Sequence, residues 1–166
     1  FADLRKFGWI KLVEGGKELE KLLAEFGPEP LGDLNLKKFR AILASSHRPI
    51  KSVLMDQKKI AGIGNIYAND ALFLAEIDPR RKTNKLNNEE VKKLFKAIKR
   101  VLKAGIKYHG ASNQYYLDAL GHKGSYQKHF LVYGQEGKAC PRKCGGKIKK
   151  IKLGGRGTYF CPVCQR

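Results

Sequence analysis

Apolar residues recur at helical spacing in five stretches of the chain and at short, strand-like spacing towards its end. From Gly16 the run KELEKLLAEFG puts Leu19, Leu22, Leu23 and Phe26 on one helical face before Gly27, Pro28 and Pro30 stop it. Asn35 is placed to cap a helix carrying Leu36, Phe39, Ile42 and Leu43, and Pro49 to open another carrying Ile50, Val53 and Leu54. Gly62 and Gly64 then precede Asn65 and a run through Ile66, Leu72, Phe73 and Ile77, giving helix, two turns, helix. The strongest period follows, with Val91, Leu94, Phe95, Ile98, Val101, Leu102 and Ile106 on one face and lysines on the other. Asn87 and Glu90 form a capping-box pattern before it, and Gly110 stands just past its end.

Outside these helices the pattern changes. Residues 1–14, with Phe7, Trp9, Ile10, Leu12 and Val13, read as the end of a strand. Residues 111–130 show no period and read as a long loop, a length that often serves function. From Phe130 onward FLVYGQEG, KIKKIKLGG and GTYFC read as short strands separated by turns. The fold class is therefore mainly α with a small β unit at the end.

Charge narrows the class of partner. In 166 residues, 34 Lys and Arg oppose 15 Asp and Glu, a net charge of +19, so a polyanion is the expected partner. No stretch approaches the ~18 apolar residues of a membrane span, and Phe1 to Gly8 is too charged for a signal peptide. A cytoplasmic protein without membrane attachment is expected. The chain begins with Phe1 rather than Met, which reads as a processed or excised start.

The cysteines carry the sharpest chemistry. Cys140 and Cys144 are three residues apart, Cys161 and Cys164 two, with sixteen residues holding an expected hairpin between the pairs. Four thiolates at such spacing suit one tetrahedral zinc, whose binding energy folds a piece too small for a core of its own. Four free thiols or two disulfides are the bland alternatives. With all four positions filled by protein, the metal has a structural role and no open catalytic site. From Gly137 to Arg166 there are nine Lys or Arg and no acid, so the hairpin is cationic however it folds.

In AGIGNIY, Gly62 and Gly64 allow close approach of a backbone, and Asn65 with the following helix N-terminus can hold a phosphate. Tight packing is the plainer use of such glycines. The lysine face of the 91–107 helix reads as solvated. His47, His109, His122 and His129 show no ligand spacing, and none is assigned to a metal.

The segments DLRKFG at 3–8, GPEPL at 27–31, IKSVLMDQKKIAGIGNIYANDALF at 50–73 and VYGQEGKACPRKCGGKI through GRGTYFCPVCQR together resemble bacterial formamidopyrimidine-DNA glycosylase. The likeness covers the whole chain, and the order of its two modules is what makes it specific. It implies a remnant strand of an N-terminal β-sandwich at 1–14, a helix-two-turn-helix domain at 15–129 and a β-hairpin zinc ribbon at 130–166. The sister family, endonuclease VIII, shares both modules, but DLRKFG favours the purine-lesion branch.

The resemblance implies base-excision repair: removal of oxidised purines such as 8-oxoguanine and formamidopyrimidines, then strand cleavage through an N-terminal proline beside a glutamate. Neither residue precedes DLRKFG here, so this chain alone is expected to be a catalytically inactive, monomeric DNA binder. Its expected partner is double-stranded DNA with an oxidised base or an abasic site. By the same resemblance Asn65 and Arg156 hold phosphates, Arg5 meets the unpaired base, and Phe7 wedges beside it; Phe7 otherwise reads as a buried strand residue. The loop from Ala111 to Gln127 would close over the everted base, with Ala111-Ser112 in place of the usual threonine pair. Two more departures are the extra residue at Lys143 in the first cysteine pair and Asn69-Asp70 where a longer acid is common. The rival from another class is a stand-alone zinc-ribbon nucleic-acid-binding protein; a ribosomal or membrane-surface protein rests on charge and the GIG-type turn alone.

Overall fold

The computed structural model describes residue 8, residues 10–112 and residues 121–166. Five α-helices come first: α1 (Gly16–Leu23), α2 (Leu36–Ala44), α3 (Ile50–Leu54), α4 (Asn65–Ala75) and α5 (Asn88–Lys107). A two-stranded antiparallel hairpin, β1 (Lys149–Leu153) and β2 (Arg156–Phe160), follows. Short 3-10 turns at Thr83–Lys85 and Tyr126–His129 punctuate the connections. The chain is thus mainly helical with a small β unit.

The caps follow the sequence. Asn35 Oδ1 accepts from the Lys38 amide at 2.9 Å and starts α2. At α5 both halves of the capping box are made: Asn87 Oδ1 accepts from the Glu90 amide at 2.9 Å, and Glu90 Oε2 accepts from the Asn87 amide at 2.8 Å. Such a box satisfies two of the donors that a helix start leaves open. At the far end Gly110 takes φ 78 and its amide closes onto the Gly105 carbonyl at 2.8 Å.

The main core lies between α2, α3, α4 and α5. Phe39, Leu43, Ile50, Val53, Leu54, Ile63, Leu72, Leu94, Ile98 and Val101 are buried together there. Each large side chain contributes about 1.5–3 kcal/mol of burial. A second, smaller core gathers Phe73, Val132, Ile148, Cys140 and Cys161. Helix α4 serves both, because Leu72 faces the first and Phe73 the second. That double burial explains why NIYANDALFLA is apolar nearly all round rather than on one stripe.

Glycine sets one close approach that the sequence presents only as a helix stop. A Cβ on Gly27 would lie 2.4 Å from the Lys59 carbonyl carbon and oxygen. The Gly27 amide donates to the Gln57 carbonyl at 2.8 Å, and the Ala61 amide to the Pro28 carbonyl at 3.3 Å. The segment after α1 is therefore docked along the two turns, not a free linker.

Several expectations need correction. Among the described residues, 10–14 carry no strand, and Ile10 and Leu12 are exposed. Helix α1 ends at Leu23, short of Phe26, and none of its residues is buried among the described ones. Helix α4 stops at Ala75, because Glu76 takes the left-handed conformation at φ 61 and leaves Ile77 outside. FLVYGQEG is not a strand: the amides of Leu131, Val132 and Tyr133 all turn towards the Asp70 carboxylate, at 3.1, 3.0 and 3.4 Å. Three successive amides cannot share one acceptor in an extended chain, whose N–H groups alternate in direction. The loop expected over 111–130 gives way to a 3-10 turn at Tyr126–His129, and residues 113–120 lie outside the described set.

Candidate nucleic-acid interface

The four cysteines converge. Their Sγ atoms all lie within 4.8 Å of one another, with Cys140 and Cys164 at 3.8 Å and Cys144 and Cys161 at 3.5 Å. Thiolates around a zinc ion at about 2.3 Å stand about 3.8 Å apart, so the cluster fits one structural zinc. Burial raises the Cys161 thiol, but the backbone amides of Cys164 and Val163, together with the Cys144 and Cys140 thiols, outweigh it and bring the group down to about 7. Lys143 takes φ 53, and its amide returns to the Cys140 carbonyl at 2.9 Å, which absorbs the additional residue of the first pair.

The knuckles support the hairpin. Gly154 and Gly155 both have positive φ, 57 and 75, which a two-residue turn between paired Leu153 and Arg156 requires. Arg156 opens β2 exposed to solvent, with no ion pair among the described residues. The next residue, Gly157, offers its carbonyl to two donors from the helices: Asn65 Nδ2 at 3.1 Å and Lys51 Nζ at 3.0 Å. Asn65 is the first residue of α4 and Arg156 the first of β2, so this bond sets them side by side.

The α4 N-terminus is built for close approach. Gly62 takes φ 81 and its amide donates to Gln57 Oε1 at 2.9 Å, while Gln57 Nε2 reaches the Ile63 carbonyl at 3.1 Å. Gly64 is the N-cap residue and supplies no side-chain cap, and a Cβ there would meet nothing. The amide of Asn65 has two hydrogens, and the bond to Gly157 uses one. A helix start of this kind, beside an exposed arginine, attracts an anion.

Helix α4 and the hairpin are bolted together by residues not singled out for this role from the sequence. Asn69 Oδ1 accepts from the Tyr159 amide at 2.9 Å, and its Nδ2 donates to the Asn65 carbonyl at 2.7 Å. Asp70, fully buried, holds the three amides of residues 131–133. Burial pushes its carboxyl above the usual carboxylate range, against those amides. Gln165 ties the second knuckle to α4's end, accepting from the Cys161 amide and donating to the Ile77 carbonyl, both at 2.8 Å. Two consecutive polar residues inside an otherwise apolar helix were the available signal. Arg5 and Phe7 lie outside the described residues.

The described residues form a helix-two-turn-helix packed on a cationic hairpin that carries four converging cysteines. Residues 26–116 match the family described as the formamidopyrimidine-DNA glycosylase H2TH domain, and residues 137–166 the zinc finger found in FPG and IleRS. The chain belongs to the formamidopyrimidine-DNA glycosylase family. It is 43% identical to the formamidopyrimidine-DNA glycosylase of Streptococcus pyogenes and 46% to that of Desulfitobacterium hafniense, over 100% and 99% of its own length. It spans 61% of the length of each. Among solved structures it is similar to Lactococcus lactis Fpg in complex with DNA containing an abasic site, at TM-score 0.89 and 42% identity. That match covers 99% of this chain and 61% of the other. Among the described residues no helix is long and apolar enough to cross a membrane.

Proposed function

We propose that this chain is the DNA-holding part of a base-excision DNA glycosylase and AP lyase acting on oxidised purines, and that it grips the backbone of a duplex at an abasic or lesion site. The shared Gly157 acceptor carries this reading, because it joins the start of α4, where Asn65 stands, to the start of the strand that Arg156 opens. The relatives support it: structures of Lactococcus lactis Fpg contain DNA with an abasic site or a Fapy-dG. Such contacts position the protein without reading sequence. Arg5 and Phe7 would fill the space left by the extruded nucleotide, whose unstacking costs a few kcal/mol. The zinc holds the hairpin's shape, and its four thiolates leave no position for a reacting group. None of the described residues is assigned a part in base removal.

The test is binding of the zinc-loaded chain to a duplex with a tetrahydrofuran abasic analogue and to the intact duplex, across a salt series. Tighter binding to the abasic duplex, lost in Arg5→Ala and Phe7→Ala, is the expected result, with no cleavage of a true abasic site. Equal affinity for the two duplexes would reduce the chain to a general backbone binder, and strand cleavage would contradict its assignment as non-catalytic.

A further inference from the structure

Lys51 is a lysine buried between the helices and the hairpin. It stands in α3 at 1% exposure, and its ammonium is directed at neutral acceptors: Gly157 O at 3.0 Å and Thr158 Oγ1 at 2.7 Å. The Thr158 hydroxyl in turn donates to the Arg156 carbonyl at 3.2 Å. One ammonium therefore holds the carbonyls of two successive residues, Gly157 directly and Arg156 through the Thr158 hydroxyl, and Gly157 O is the atom that also receives Asn65. A neutral side chain of similar volume would fill this space without the desolvation cost of a buried charge. What the ammonium adds is orientation.

We propose that Lys51 is a positioning residue of the phosphate clamp, fixing Arg156 relative to Asn65, so that grip on DNA depends on its ammonium staying protonated. The inference rests on the reading of Asn65 and Arg156 as backbone contacts. Burial, and then the positive charge of Arg156, lower the Lys51 group to about 8. The other charged groups facing it across a cleft of 240 Å³ are Arg48 and Asp56. Those two are paired at 2.7 Å, and the Arg48 bond holds Asp56 below the usual carboxylate range, so Asp56 keeps its charge wherever Lys51 titrates. A phosphate arriving at Arg156 offsets that arginine's repulsion and raises the affinity of Lys51 for its proton. Binding therefore takes up protons above about pH 8, and affinity falls as pH rises through that value.

The experiment measures affinity of the zinc-loaded chain for the tetrahydrofuran duplex from pH 7 to pH 9.5, with Lys51→Met beside the parent. The parent loses affinity above pH 8, by at most about tenfold per unit for one proton. Lys51→Met binds on the order of tenfold more weakly at pH 7, within the range of coupling between contacting residues, and its profile is flat. Its salt slope stays that of the parent, since Lys51 touches no phosphate. In an Asn65→Ala, Arg156→Ala background Lys51→Met has no further effect. Parental affinity, a parental pH profile or full additivity in that background would overturn the proposal. Should Lys51→Met lose its fold by circular dichroism, Thr158→Val removes one arm of the network. A several-fold loss that vanishes without Arg156 supports the proposal, and parental binding defeats it. If Arg156→Ala itself binds like the parent, the clamp reading fails and this inference with it.

Discussion

The side-chain amide of Asn65 lies 3.1 Å from the carbonyl oxygen of Gly157, and this bond joins the start of α4 to the start of β2. The two modules thus meet at the atoms proposed to face DNA. The two contacts differ in charge, and that difference separates them experimentally. Arg156→Ala is expected to weaken duplex binding and to lower the slope of log affinity against log salt by about 0.9, the loss of one phosphate neutralisation. Asn65→Ala is expected to weaken binding with the slope unchanged. An unaltered slope in Arg156→Ala would remove that arginine from the phosphate contacts.

Asp70 holds the arm leading into the zinc unit through three backbone amides. Asp70→Ala strands those donors in a buried place, a loss of about 1–3 kcal/mol per unsatisfied group before relaxation. Denaturant unfolding is expected to show a total destabilisation of about 3 kcal/mol. Asp70→Asn keeps one acceptor oxygen and falls between the two. An alanine variant as stable as the parent would mean that water replaces the carboxylate.

Metal removal separates the two cores. The helical core contains no cysteine, whereas Cys140 and Cys161 are part of the smaller one. Chelation at neutral pH, or Cys161→Ser, is expected to abolish duplex binding while most of the helical circular dichroism persists. The reason is that the zinc-derived folding energy, about 10–16 kcal/mol in small zinc modules, acts on the hairpin. Loss of the helical signal together with the metal would show that the cores fold as one.

How much of this was legible in the chain depends on the range of each interaction. The caps at Asn35 and Asn87, the hairpin turn at Gly154-Gly155 and the cysteine spacing are local, and local chemistry is written in adjacent residues. Lys51, Thr158, Asn69 and Asp70 make bonds to partners 61 to 107 positions away, and no periodicity encodes a partner at that distance. Asp70 also undid the strand expected over FLVYGQEG, because a buried carboxylate competes for the amides that a ladder would use. Gly27 looked like helix punctuation, yet its lack of a Cβ is needed by the Lys59 carbonyl. Gly27→Ala is expected to cost roughly 1–3 kcal/mol, the scale of overpacking against a rigid neighbour, measurable as a lower denaturant midpoint.

Glu90 provides a test of sign as well as size. Its carboxylate pairs with Arg81 and also closes the capping box on Asn87. The Arg81 bond, followed by the Asn87 amide, holds its carboxyl below the usual range. A carboxyl with a depressed folded-state pKa adds stability above its unfolded value of about 4.3 and loses it as pH falls through the folded one. Glu90→Gln is therefore expected to be about 1–2 kcal/mol less stable than the parent at pH 7. The gap narrows below about pH 4 as the parent's own carboxyl takes up its proton. Thermal melts of both proteins between pH 3 and pH 7 measure this directly, and a gap independent of pH would assign the loss to the cap geometry and not to the charge.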